Sequence, residues 1–112
     1  MNPETVDLLE DIASHALSIR EFTQNHTFET YCNDLRTRLA VERAFEIIGE
    51  ALTRIKRTDP SVLSEITESR SIVSFRNILA HAYDHVEDKI VWGVIQTDLQ
   101  KLSSDVNRLL SQ

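Results

Sequence analysis

The sequence predicts an all-α fold, an up-and-down helical bundle of four to five main helices with short helices between them. Three observations predict it. Only two glycines and two prolines punctuate the 112 residues, with no Gly/Ser linker and no repeat, which is the pattern of long helices with short connections. Apolar residues recur at three- and four-residue spacing along most of the chain. No segment sustains a two-residue alternation, so essentially no strand is expected.

The first helix is expected from Pro3 and Glu4, because proline suits a first helical turn and the acids Glu4 and Asp7 complement the helix dipole. Val6, Leu9, Ala13 and Ala16 recur along it, with Leu8, Ile12 and Ile19 alongside. It should fade by Gln24-Asn25-His26. Thr27 can cap a short helix through Thr30 or beyond, and Asp34 can cap the next one. That next helix is the longest, from about Leu35 to Lys56. Leu39, Phe45, Ile48, Leu52 and Ile55 are read as one stripe, widened by Val41, Ala44 and Ala51. Gly49 sits mid-helix, where glycine costs roughly 1 kcal/mol relative to alanine; a close helix–helix approach would account for it. Thr58-Asp59-Pro60 is the clearest break. A short helix over Ser61–Ile66 follows, then one from about Ser71 to Tyr83. The last is expected as one helix from about Glu87 to Leu110, with Val91, Ile95, Leu102, Val106 and Leu109 facing inward.

The bulk properties suit a single domain spanning 1–112. A chain this short buries a modest fraction of its surface, so oligomerisation is a natural source of added stability. One cysteine, Cys32, forms no disulfide within the chain; it suits a cytoplasmic, reducing environment and reads as a small half-buried hydrophobe. No run approaches the roughly 18 apolar residues of a membrane span, and Met1–Glu10 lacks the basic and apolar regions of a signal peptide.

The formal charge of -6 argues against a general nucleic-acid binder, which usually shows a basic footprint. The charge is uneven, however. Residues 1–34 hold seven acids and one base, whereas 35–57 hold six bases (Arg36, Arg38, Arg43, Arg54, Lys56, Arg57) against three acids. The plainer account of that strip is a solvated helix face with local pairs such as Glu42 with Arg38.

The densest chemistry lies in Arg76-Asn77-Ile78-Leu79-Ala80-His81-Ala82-Tyr83. Ile72, Phe75, Leu79, Ala82 and Val86 form one narrow apolar seam. At about 100° per residue, Arg76 and Tyr83 lie nearly in line beside that seam. Ala80 comes next, then Asn77, then His81, about 140° round from Arg76. Arginine holds phosphate through paired hydrogen bonds, and neutral histidine can take a proton from a hydroxyl. Those two groups are what metal-independent RNA cleavage requires: a base for the ribose 2′-OH and a cation for the crowded phosphate. A separation of about 140° on one helix brings them together poorly, and two such helices across a two-fold axis would do it better. His15, His26 and His85 are read as ordinary residues. His85 follows His81 by one turn, but no third ligand of matching spacing is evident, so no metal site is assigned.

Arg76, four residues, His81, one residue, Tyr83 resembles the Arg-x4-His-x-Tyr motif of the HepT-like branch of the HEPN superfamily. Ala40-Val41-Glu42-Arg43-Ala44-Phe45-Glu46-Ile47-Ile48-Gly49-Glu50-Ala51 is similar to that family's long second helix. Ile90-Val91-Trp92, with Gln96-Thr97-Asp98-Leu99, is similar to its last helix. Order and spacing agree from about residue 5 to 110. The resemblance implies a HEPN-like bundle that forms a homodimer, with the motifs of both chains facing a shared cleft. It implies a ribonuclease toxin of a prokaryotic, type VII-like toxin–antitoxin system. The implied partner is a small MntA-like nucleotidyltransferase antitoxin, which transfers AMP to the motif tyrosine. By position, Arg76 would bind phosphate, His81 would act as general base or acid, Asn77 would support the cleft and Tyr83 would accept AMP. Glu42, Glu46 and Glu50 would approach the cleft from the long helix. No cofactor is implied beyond AMP as a modification. The alternative is a non-catalytic helical partner or substrate of the nucleotidyltransferase.

Overall fold

In the computed structural model the described residues are 1–81 and 87–112, without the side chains of Ala80 and His81. They form an all-α bundle. Its elements are α1 (Pro3–Thr23), α2 (Phe28–Cys32), α3 (Leu35–Thr58), α4 (Pro60–Leu63), α5 (Ser69–His81), α6 (Asp88–Gln96) and α7 (Asp98–Leu110). No strand occurs among the described residues. The least dimension, 19 Å, is that of two helix layers at about 10 Å each. No helix is long and apolar enough to cross a membrane, among the described residues.

Local chemistry sets the helix starts. The Asn2 side chain accepts from the Thr5 amide at 2.8 Å, ahead of Pro3 in the first turn. Thr27 and Thr30 form a reciprocal capping box, which satisfies two amides that would otherwise lack partners. Asp34 caps α3 through the Thr37 amide at 3.0 Å, and that amide and the Thr37 hydroxyl hold its carboxyl below the usual range. The Thr58-Asp59-Pro60 break is where α3 ends and α4 begins.

The central helix is α3, which packs on α1, α5, α4 and α2, while α7 lies against α1. Leu9, Ile12, Ala16 and Ile19 of α1 meet Phe45, Ile48, Leu52 and Ile55 of α3 in the buried core. Leu39 does not join them and is 57 % exposed. It precedes Phe45 by six residues, which turns it about 120° off the stripe, whereas Val41, four before Phe45, stays on it.

The expected single C-terminal helix is two. α6 and α7 part at Thr97, whose hydroxyl donates to the Gly93 carbonyl at 2.8 Å and lies 2.9 Å from an Asp98 carboxylate oxygen. Threonine back-bonding of this kind bends helices, and Gly93 adds backbone freedom where the bend falls. The break lets each half serve a different neighbour. α7 packs on α1, and α6 sets Trp92 against Tyr31 of α2 at 5.3 Å between ring centroids. Arg38 then ties the start of α6 to α3 through Asp88, at 3.1 Å. Cys32 is half-buried beside them; burial and the Asp88 carboxylate push its thiol up.

Candidate active site

The site is built where α5 crosses α3. Ile72, Phe75 and Leu79 are buried, and the Phe75 ring meets Phe45 of α3 edge-on at 5.1 Å and 83°. That seam fixes the rotation of α5 and leaves the next residue, Arg76, on the rim of the helix crossing. The start of α5 is held from the other side. Asp105 of α7 accepts from the Thr67 amide at 3.0 Å and the Thr67 hydroxyl at 2.9 Å. Arg108 donates to Asp105 at 2.9 Å and to the Glu65 carbonyl at 3.1 Å.

Arg76 lies across α3 at Gly49. A Cβ at position 49 would stand 2.5 Å from the Arg76 Cβ and 2.6 Å from its Cγ. The close approach expected from a mid-helix glycine is therefore present, and Arg76 is what occupies it. The guanidinium continues past the notch. Its Nη2 donates to Glu50 Oε2 at 3.1 Å, and its Nη1 lies 3.5 Å from the Asn77 side-chain oxygen. Arg76 is 31 % exposed and Glu50 50 %.

A cleft of about 490 Å³ opens here, lined by Asp11 of α1, Arg43, Glu46, Glu50 and Arg54 of α3, and Arg76. Glu46 and Glu50 line this cleft within the chain, and Glu42 is not among its lining residues. The basic segment 35–57 divides its work. Arg43 and Arg54 face the cleft, while Arg38 turns to Asp88. Every arginine of the cleft has a carboxylate partner: Arg43 with Glu46 at 3.0 Å, Arg54 with Glu4 at 3.5 Å, Arg76 with Glu50 at 3.1 Å. Solvent-exposed pairs of this sort are worth about 0.2–1 kcal/mol. A phosphate, offering bidentate geometry to a guanidinium, can displace them.

His81 closes the described part of α5, five residues after Arg76 and about 140° round the same helix. Tyr83, with Ala82, Asp84, His85 and Val86, lies outside the described residues. His26 has partners that sequence spacing did not suggest. Its ring lies 2.9 Å from the Thr30 hydroxyl and 3.5 Å from Asp34, as part of the capping around α2 and α3. Among the described residues, no three His, Cys, Asp or Glu side chains stand together as a metal site. Asp11, Arg43 and Arg54 were not singled out from the sequence as site residues. Nothing local marks them, because only the packing of α1 and α5 on α3 brings them to one cleft.

The family model described as ribonuclease HepT-like matches residues 12–109. The chain belongs to that family. It is 37 % identical over 103 residues to "Probable ribonuclease HepT" of Thermococcus cleftensis, covering 92 % of this chain and 93 % of that one. It is 32 % identical over 98 residues to "Putative RNase MJ1380" of Methanocaldococcus jannaschii, covering 88 % and 89 %. A similarity of 27 % over 104 residues extends to "Putative RNase TTE0752" of Caldanaerobacter subterraneus. No solved structure matches the chain.

Proposed function

We propose that this protein is a metal-independent endoribonuclease acting on RNA at a cleft shared by two copies of the chain, the toxin of a type VII-like toxin–antitoxin pair. The observation that carries the reading is the seat of Arg76. Its stem is fixed against Gly49, and its guanidinium stands in an open cleft on a weak, displaceable carboxylate pair. Membership of a ribonuclease HepT-like family supports the same reading.

The chemistry follows from the residue types. Arg76 grips the scissile phosphate in place of Glu50 and stabilises the negative charge that grows on it. His81 takes the proton of the ribose 2′-OH. The 2′-oxygen then bonds to phosphorus, and the bond to the 5′-oxygen breaks as that oxygen gains a proton. Asn77 steadies the guanidinium from its own helix. Because His81 is turned about 140° from Arg76, the arginine of one copy works with the histidine of the other across a two-fold axis. Tyr83, seven residues after Arg76 in the sequence, is the point of control. AMP transferred to it by a nucleotidyltransferase antitoxin adds a phosphate close in sequence to Arg76, a charge that competes with the RNA phosphate for the guanidinium.

The test is cleavage of labelled RNA by purified protein in EDTA. Cleavage is expected for the wild type and lost in Arg76→Ala and His81→Ala. Wild-type protein that leaves RNA intact sinks the nuclease reading. The formal charge of -6 and the carboxylates in the cleft favour a second reading, a non-catalytic partner and AMP acceptor of the nucleotidyltransferase. AMP on Tyr83 without any RNA cleavage selects it. Equal AMP incorporation by Tyr83→Phe removes the tyrosine from both.

A further inference from the structure

Gly49 is the one residue of the long helix whose missing side chain is filled by a residue of the cleft. A Cβ built there stands 2.5 Å from the Arg76 Cβ, 2.6 Å from its Cγ and 3.2 Å from its Cδ. Carbon atoms in contact sit about 3.5–4.0 Å apart. The nearest of these atoms is a Cβ, which no change of rotamer can move away. A side chain at position 49 therefore forces α3 and α5 apart by about 1 Å, or turns Arg76 off the crossing.

Glycine is a poor choice for the middle of a 24-residue helix, and no turn or left-handed backbone calls for it here. The remaining contacts of Arg76 explain its presence. The Arg76 stem lies on the notch, and from there Nη2 reaches Glu50 of the adjoining position at 3.1 Å. Phe75, one residue earlier, is pressed edge-on to Phe45 at 5.1 Å, so α5 cannot slide to find another path for Arg76 without disturbing the core.

We propose that Gly49 is a positioning residue of the active site, the notch that aims the Arg76 guanidinium into the cleft. The proposal rests on the nuclease reading for its effect on cleavage, though not for its effect on Arg76 itself.

The experiment compares wild type, Gly49→Ala and Glu50→Gln as full-length proteins. Three properties are read: helical circular dichroism, RNA cleavage, and the guanidinium ¹⁵N resonances of Arg76, assigned with Arg76→Lys. Gly49→Ala is expected to keep its helical spectrum and lose about 100-fold in kcat/KM, the scale of a 1 Å misplacement. Its Arg76 signal is expected to leave the wild-type position toward that of Glu50→Gln, where the pair is absent. A folded Gly49→Ala protein with a wild-type Arg76 signal overturns the proposal. If Gly49→Ala does not fold, the double variant Gly49→Ala/Arg76→Gly, which removes the Cβ that the new methyl meets, is expected to regain the helical spectrum. A double variant that stays unfolded also overturns it. Should the wild type cut no RNA, the nuclease reading fails, while the Arg76 signal still decides the role of Gly49.

Discussion

Replacing Arg76 by glutamine removes the guanidinium but keeps Cβ and Cγ, the two atoms that lie nearest the Gly49 notch. What is lost from the fold is the pair with Glu50. With partners 31 % and 50 % exposed, that pair contributes at most about 1 kcal/mol. A chain of this size unfolds with an entropy of about 0.24 kcal/mol/K. The melting temperature should therefore fall by no more than about 4 °C. The loss to catalysis is of another order. Removing one preorganised donor aimed at developing charge costs about 10²–10³ in rate, and a cation on a phosphoryl transition state can be worth more still. Arg76→Gln is thus expected to melt within about 4 °C of wild type yet cleave RNA at least 100-fold more slowly. Circular dichroism melts and single-turnover cleavage of a labelled RNA measure the two effects on one preparation. A folded Arg76→Gln protein that cleaves within tenfold of wild type would refute the assignment of phosphate stabilisation to this residue.

The neighbouring position should behave in the opposite way. Phe75→Ala empties the contact with Phe45 and is expected to cost about 3–5 kcal/mol, lowering the melting temperature by roughly 12–20 °C; a drop under about 5 °C would mean that the seam between α5 and α3 is not the support described. Asp105 links pH to the same support. Burial opposes its ionisation, but the Thr67 amide and hydroxyl and the Arg108 guanidinium outweigh this and hold its carboxyl below the usual range. A carboxyl lowered in the folded state stabilises above its unfolded pKa of about 3.9 and loses that contribution as pH falls through the lower folded value. Asp105→Asn should therefore melt below wild type at pH 7, with the gap narrowing as pH falls below the unfolded pKa of about 3.9; urea titrations at neutral and acid pH measure it, and a gap that is constant with pH would contradict the ionised role.

Much of the fold was legible because it is decided by near neighbours. Thr27 and Asp34 announce helix starts through amides three residues on, and Pro60 ends α3 through its own ring. The 3–4 spacing of Phe45, Ile48, Leu52 and Ile55 selects the buried face of α3 whatever it packs on. Where the spacing slipped to six, at Leu39, the expected burial failed for the same geometric reason. The break at Thr97 was missed because an apolar pattern continues through it. The competing interaction there is a hydroxyl on a carbonyl four residues back, which periodicity does not register.

The site divides along the same line. The Arg76–Tyr83 motif, as an order of residues, and the odd glycine at position 49 belong to the sequence alone. So does the angular gap between Arg76 and His81, since helix geometry follows from residue number. What the tertiary structure decided is that Gly49 and Arg76 are the two sides of one contact. It also put Glu50 under the guanidinium and brought Arg43, Arg54 and Asp11 to the same cleft. These partners lie far apart along the chain, Arg76 and Glu50 by 26 residues and Arg38 and Asp88 by 50. No local rule reaches that far. Such pairs form only once the apolar faces of α1, α3 and α5 have met and set which polar rims stand side by side.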